Sequence, residues 1–514
     1  MTDESTEHPM EVELKLRLPV TARAALEQHP AFRGPLATAA EERHEVTTYF
    51  DTPDLRLAGK GVSLRVRRDG DRRVQTVKLG GTGPAVAARR GEWEWPIEQD
   101  TPELGRLAET PAGALVGDLT DDGIEPVFVT DIRRTVRELR LDESTMAEAA
   151  LDEGTITAGS ASEAVSELEL ELRDGTLAPL YRLALDLQAT VPLTIGPESK
   201  AERGYRLRTG RPPAARKAPD LDLDRDVGVP GAFREIVAVG LGHLLANQPA
   251  AAAGDPEGVH QMRVAIRRLR TALALFGPHL EPHATAQFEA ELKRLGRVLG
   301  EARDWDVFCL DTLPKAMGDA PEASWGHLLR EAAETERREA HHRAEEEIGR
   351  LALTGFVLGM AAWVEDGIAQ PTLLGDKRMR RRLAKLAPEL LDRLAGKVAK
   401  RGKRIGRRSD EELHALRKSL KKLRYGVDDL ASLYGRKAVK TYLQGCKELQ
   451  ELLGRMNDAT VAITLAEKLS GGDSSGLAPA AGAVAQWSEK RRGKALHHLS
   501  GAWATFRTTS PFWT

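Results

Sequence analysis

Glu11, Glu13, Lys15 and Arg17 alternate with Val12, Leu14, Leu16 and Leu18. In a strand, alternate side chains point to opposite faces. Two carboxylates and two cations therefore share one short face, and the hydrocarbons share the other. Such a face can hold a metal ion against a polyanion. Carboxylates supply hard oxygen ligands, and cations donate to anionic oxygens. A second chemical pattern occurs twice. On a helix at about 100° per residue, His260, Arg263, Arg267 and Arg270 fall within an arc of roughly 80°. Val259, Met262, Ile266, Leu269, Leu273 and Phe276 take the neighbouring arc. His414, Arg417, Lys421 and Arg424 repeat the basic arc, beside Leu413, Leu416, Leu420, Leu423, Val427 and Leu430. If the two copies pack as a pseudo-twofold pair, the stripes converge on one groove that binds phosphate oxygens.

The elements that position these residues change type along the chain. Residues 10–207 read as strand-rich. Gly61 to Arg68, Gly91 to Trp95 and Ser166 to Leu172 alternate, and turn signals such as Arg68-Asp69-Gly70-Asp71 and Asp152-Glu153-Gly154 separate the runs. Leu177 to Ala189 has helical spacing, and 209–227, with Pro212, Pro213 and Pro219, reads as a linker. From Pro230 onward the periodicity is helical. His260 to His414 and Gly300 to Gly454 share an offset of 154, so the helical half is a duplicated unit. Asp304 and Asp458, at the same offset, are expected to orient the basic groups or cap a helix.

Charge divides the same way. Residues 1–210 carry 26 Lys and Arg against 38 Asp and Glu, and residues 228–514 carry 45 against 35. An acidic front and a basic back imply different electrostatic tasks. With Cys309 and Cys446 as the only cysteines, a disulfide framework or a cysteine metal cluster is excluded, and a reducing cytoplasm is the simpler expectation. Met1 to Met10 is acidic and does not read as a signal peptide. The longest apolar run, Leu351 to Val364, falls short of the ~20 residues of a membrane span, so a buried helix and no membrane partner are expected.

The helical half resembles a CHAD domain, over roughly 228–510. His260, Arg263, Arg267 and Arg270 match its first basic motif. His414, Arg417, Lys421, Lys422, Arg424 and Tyr425 match the second, and Gly454 with Asn457-Asp458 the one after it. The resemblance implies an all-α domain of two pseudo-repeated antiparallel helical bundles that binds inorganic polyphosphate. Nucleic acid is the competing polyanion, but the stripes lack interleaved aromatics for base stacking.

The first half, 8–208, resembles a CYTH domain, the fold of the triphosphate tunnel metalloenzymes. Glu11-x-Glu13-x-Lys15 matches the family signature. Tyr49-Phe50-Asp51-Thr52-Pro53, Arg65-x-Arg67, Lys78, Glu92-x-Glu94, Arg133 or Arg134, Asp152, Glu167-x-Glu169-x-Glu171, Lys200 and Arg203 follow in order. The resemblance implies an α+β domain with an eight-stranded antiparallel barrel, charged inside. It also implies metal-dependent hydrolysis of inorganic triphosphate to pyrophosphate and phosphate. Glu11, Glu13, Glu167, Glu169 and Glu171 would bind Mg²⁺ or Mn²⁺. Lys15, Arg65, Arg67, Lys78, Arg134 (taken over Arg133), Lys200 and Arg203 would clamp phosphate oxygens, and Glu92, Glu94 and Asp152 would line the tunnel. Adenylate cyclase or thiamine triphosphatase chemistry on the same barrel, and non-catalytic polyphosphate binding, are the alternatives. The implied setting is cytoplasmic, with polyphosphate granules as a place of association.

Overall fold

The computed structural model describes residues 10–80, 86–117, 123–318, 324–369, 381–471 and 477–513. Its contacts divide into two units, 1–214 with 350–365, and 215–349 with 366–514.

In the first unit the alternating segments become nine antiparallel strands: β1 (Met10–Arg17), β2 (Glu41–Asp51), β3 (Val62–Asp69), β4 (Arg72–Leu79), β5 (Ala88–Pro96), β6 (Glu125–Arg140), β7 (Met146–Ala158), β8 (Ala161–Asp174) and β9 (Thr194–Ile195). The order is β5-β4-β3-β2-β6-β7-β8-β1-β9, and β1 also pairs with β5 through Met10 to Glu13. That pairing closes eight strands into the expected barrel. The two-residue β9 takes the remaining edge of β1 at Leu16 and Arg17.

Hydrocarbon lies outside this barrel. Leu14, Leu16, Leu168 and Leu170 are fully buried. Phe50, Leu57, Leu64, Val66 and Val77 form one outer cluster, and Tyr49, Phe128, Ile132, Ile156 and Val165 form another. Helix α1 (Leu177–Gln188) is amphipathic, and α2 (Lys200–Thr209) starts at a capping box in which Ser199 and Glu202 bond each other's backbone N–H groups. Tyr205 and Leu207 of α2 pack on the second cluster, which aims Lys200 and Arg203 at the lumen. The apolar run sits in a helix, Leu351–Ala369, with Leu353, Val357, Leu358 and Met360 buried. Although it lies inside the sequence span 228–510, residues 350–365 pack within the first unit. Gln188 donates to the Leu351 carbonyl, and Ile195 N–H donates to Thr354 Oγ1.

The second unit contains α3 (Val229–Ala246), α4 (Pro256–Phe276), α5 (Pro282–Val307), α6 (Ser324–Gly349), α7 (Leu383–Gly402), α8 (Asp410–Asp429), α9 (Arg436–Ser470) and α10 (Ala478–Thr508). α7, α8 and α9 start 154 residues after α3, α4 and α5, so the duplication extends beyond the two motifs. In the fourth pair the buried positions run one residue out of step. Leu329, Ala333, Ala340, Ala344 and Ile348 correspond to Val484, Ser488, Ala495, Leu499 and Trp503, an offset of 155. A π-helical turn, Phe308–Thr312, follows α5. Among the described residues one straight helical stretch, Val229–Ala252, is long and apolar enough to cross a membrane, and 61% of its apolar window is buried, as in a core helix. Cys309 and Cys446 are both free thiols.

Gly204 tests how α2 is seated. A Cβ there would lie 2.2 Å from the Phe128 ring. Gly204→Ala is expected to destabilise the first unit by about 1–3 kcal/mol, read as a lower melting temperature; an unchanged melting curve would mean that α2 is not held this closely.

Candidate functional site

The barrel's inner face carries acids and bases in mutual contact. β1 and β8 run in a register that sets Glu13 opposite Glu171, Lys15 opposite Glu169 and Arg17 opposite Glu167. From α2, the Lys200 ammonium reaches Asp152 at 2.6 Å, Glu167 at 2.5 Å and Glu169 at 2.8 Å. Arg134 forks onto both oxygens of Asp152 at 2.7 Å and also donates to Glu169. Lys15 contacts Glu13 at 2.8 Å, and Glu169. Arg203 joins Glu163 at 2.6 Å to Glu167 at 3.1 Å. On the other strands Lys78 meets Glu11 at 2.8 Å and Glu92 at 3.0 Å, Arg65 meets Glu92 at 3.3 Å, and Arg67 meets Glu94 at 3.2 Å.

Burial of Glu13, Asp152, Glu167 and Glu169 strengthens these contacts. Burial alone would raise the Glu169 carboxyl, but Lys15, Lys200 and Arg134 outweigh it and hold it well below the ordinary range. Burial opposes the Lys200 charge, yet Asp152, Glu167 and Glu169 drive its pKa well up. Glu171 stands apart. Its carboxylate pairs with the exposed Arg173, while burial and the nearby Glu11, Glu148 and Glu13 push it up to about 7.

Oxygens of Asp152, Glu167 and Glu169 lie within 4.8 Å of one another, and all three residues are buried. Glu167 Oε1 is held by the Lys200 ammonium at 2.5 Å. Three clustered hard oxygen donors fit a hard divalent cation. Asp152, expected as a lining residue, belongs to this triad. Of the other expected ligands, Glu13 shares the Lys15 ammonium with Glu169, and Glu11 pairs with Lys78. Arg133 is exposed, so the inward member of that pair is Arg134. The sequence reading missed Glu45, buried 4.0 Å from Arg67 and 3.9 Å from Arg134, and Glu163. Glu163 shares the strand face of Glu167, which was a usable signal.

In the second unit α4 packs against α8, and the two basic stripes meet there. Arg263 donates to the Gly300 carbonyl at 2.8 Å and lies 3.4 Å from Asp304, while Arg417 lies 3.9 Å from Asp458. The two aspartates do orient the arginines. Arg267 donates to the Tyr425 hydroxyl at 3.3 Å, and His414 Nδ1 bonds Asn457 Oδ1 at 2.9 Å. Arg270 and Arg424 are turned toward Glu289 and Asp428 at the flanks. Burial, then the cations Arg417, Arg267 and Arg263, push Lys421 down to about 7 against the pull of Asp458. Burial with Arg303, Arg267 and Arg263 pushes His260 down to about 4 against Glu257. Cations from both copies thus crowd one place. Arg268, which the stripe analysis passed over, clips α4 to α8 through the buried Asp429 at 3.0 Å.

A charged tunnel barrel followed by a duplicated helical unit with a cationic groove defines the class of this chain. Residues 9–205 match the CYTH domain and residues 235–467 the CHAD domain, so the chain carries both domains. It is 32% identical to an inorganic triphosphatase of Haemophilus influenzae over 161 residues, 31% of this chain and 45% of that protein. It is 27% identical over 473 residues, 84% of each chain, to an uncharacterized protein of Mycobacterium tuberculosis. The CHAD domain from the plant Ricinus communis overlaps 58% of this chain and 98% of its own, at 28% identity and a TM-score of 0.48.

Lys421 should titrate with a midpoint near pH 7 in a lysine side-chain NMR experiment. Its pKa is depressed, so the charge is present below that pH and lost above it. Removing a neighbouring cation in Arg267→Ala should move the midpoint up; a midpoint near 10 in the unaltered protein would mean that the stripes do not converge.

Proposed function

We propose that the barrel hydrolyses inorganic tripolyphosphate to pyrophosphate and phosphate with a divalent metal, and that the helical unit holds inorganic polyphosphate. The observation that carries the reading is the tunnel of interleaved cations around the Asp152, Glu167 and Glu169 triad. Lys15, Arg65, Arg67, Lys78, Arg134, Lys200 and Arg203 present donors to the lumen, as a highly charged linear anion requires. A Mg²⁺ or Mn²⁺ held by the triad would offset phosphate charge and polarise the anhydride under attack.

In the absence of ligands, these residues neutralise one another. Substrate binding is then an exchange of partners: each cation trades a carboxylate for a phosphate oxygen. Arg134 and Lys200 span the triad and the substrate path, so they hold the phosphoryl group beside the carboxylates and stabilise charge that develops on it. The indole of Trp95 packs in the outer cluster, where it cannot stack on a nucleobase in the lumen, and this favours a bare phosphate chain over a nucleotide. The triphosphatase relative supports the same substrate class. The crowded cations of α4 and α8 favour a polyanion in the helical unit.

Phosphate release from tripolyphosphate, ATP and thiamine triphosphate, with cyclic AMP followed in parallel, tests the reaction. Tripolyphosphate with Mg²⁺ or Mn²⁺ should turn over fastest, and a chelator should abolish it. Glu169→Gln and Lys200→Ala should each lower turnover about 100-fold or more. Background release with both metals would sink the proposal. In the full chain, Arg263→Ala with Arg267→Ala should weaken long-chain polyphosphate binding about tenfold or more without slowing tripolyphosphate turnover.

A further inference from the structure

A cavity of about 30 Å³ lies between the π-helical turn and helices α9 and α10. That exceeds the roughly 10–15 Å³ one water needs. Arg455 and Arg491 line it, and among the described residues neither is paired with a carboxylate. Arg491 is held with its guanidinium 4.6 Å from the Trp487 ring centroid. Ser488, fully buried, lines the same cavity, and its Oγ has no hydrogen-bond partner. The two acids of the lining already have cations: Asp311 pairs with Lys315, and Asp458 lies 3.9 Å from Arg417. What remains is an exposed guanidinium, Arg455, a half-buried one, Arg491, and a buried hydroxyl without a partner, all lining one cavity. The buried Ser488 hydroxyl left in that state costs free energy that a ligand oxygen would return, and the two guanidiniums are free to turn to the same ligand.

The duplication supplies an internal control. At the offset of 154, Arg455 and Ala459 correspond to Glu301 and Trp305. At the offset of 155 that governs the last helix pair, Ser488 and Arg491 correspond to Ala333 and Glu336. In the first copy the place is filled and neutral. Trp305 is fully buried, Lys468 lies 5.5 Å from its ring, Glu336 pairs with Lys468 at 2.7 Å, and Glu301 pairs with Arg343 at 2.8 Å. In the second copy the indole is replaced by a methyl, and both glutamates by arginines. One place in a duplicated fold has thus been emptied and turned positive, and a hydroxyl has been put where the other copy has alanine.

We propose that this cavity binds a single tetrahedral phosphate group, either free orthophosphate or the end of a phosphate chain. Two planar forks and a hydroxyl donor suit the oxygens of one phosphate. Asp458 joins the cavity to the groove, because its partner Arg417 belongs to the basic stripe. The chain-end source rests on the polyphosphate reading above; the orthophosphate source does not.

Calorimetric titration of the full chain separates the two. The ligands are orthophosphate, polyphosphate with free ends, and the same polyphosphate with both ends blocked as phosphoramidates. Arg455→Glu restores the first copy's charge at an exposed position where the fold is not at risk. Ala459→Trp restores its bulk, with a melting curve as the control for folding. Loss of orthophosphate binding by about tenfold or more in these variants assigns the cavity to free phosphate. Loss of a preference for free-ended over blocked chains assigns it to the chain end. If neither ligand distinguishes the unaltered protein from both variants, the cavity is not a phosphate site. Blocked-chain binding that disappears in Arg263→Ala with Arg267→Ala, but survives Arg455→Glu, leaves the groove reading standing whatever the cavity does.

Discussion

The barrel depends on charge neutrality around buried carboxylates, Glu13, Asp152, Glu167 and Glu169. Moving an ion out of water costs several kcal/mol, and a single unpaired carboxylate in this lumen would be prohibitive. The structure meets that cost by interleaving. Lys200 answers three carboxylates, Arg134 forks on Asp152, and Lys78 bridges Glu11 to Glu92. The strand register follows from this requirement as much as from the leucines outside. A one-residue slip of β1 would put Leu14 and Leu16 into the lumen and Lys15 into the outer core. The inner ion network and the outer hydrocarbon therefore specify the same alignment.

The helical unit shows the complementary state. Around Lys421 the cations outnumber their partners, and burial together with that crowding depresses both a lysine and a histidine. In the tunnel, bases and acids satisfy each other, and a ligand must compete with internal partners. In the groove, a bound anion would relieve a standing repulsion. Selectivity suits the first arrangement, since only a ligand that re-pairs many groups at once can enter. Retention of long, repetitive anions suits the second.

Much of this was legible in the sequence. Alternation in β1 and β8 placed Glu13, Lys15, Glu167 and Glu169 on one face, and the 154-residue offset announced the paired helices. Residues that escaped lacked a periodic signature. Glu45 follows the exposed Glu41 and Glu42 in a strand otherwise read for Tyr49 to Asp51, and nothing in the sequence singles it out from them. Arg268 is off the stripe because it serves a single buried partner, Asp429. The one-residue shift in the last helix pair was invisible, because α6 and α10 share little residue identity and only burial reveals their alignment. The position of 350–365 could not be read either: sequence neighbours predicted its unit, and long-range packing decided it.

That last feature bears on synthesis. Domains usually fold in order as the chain leaves the ribosome. Here the first unit takes in a helix that follows the barrel strands by more than a hundred residues, after the first copy of the helical duplication. The barrel must therefore wait, with the surface around Gln188 and Ile195 uncovered, while α3 to α6 are made. The two units are interlocked in time, and a gene cut at the apparent linker would leave the first unit without its last piece.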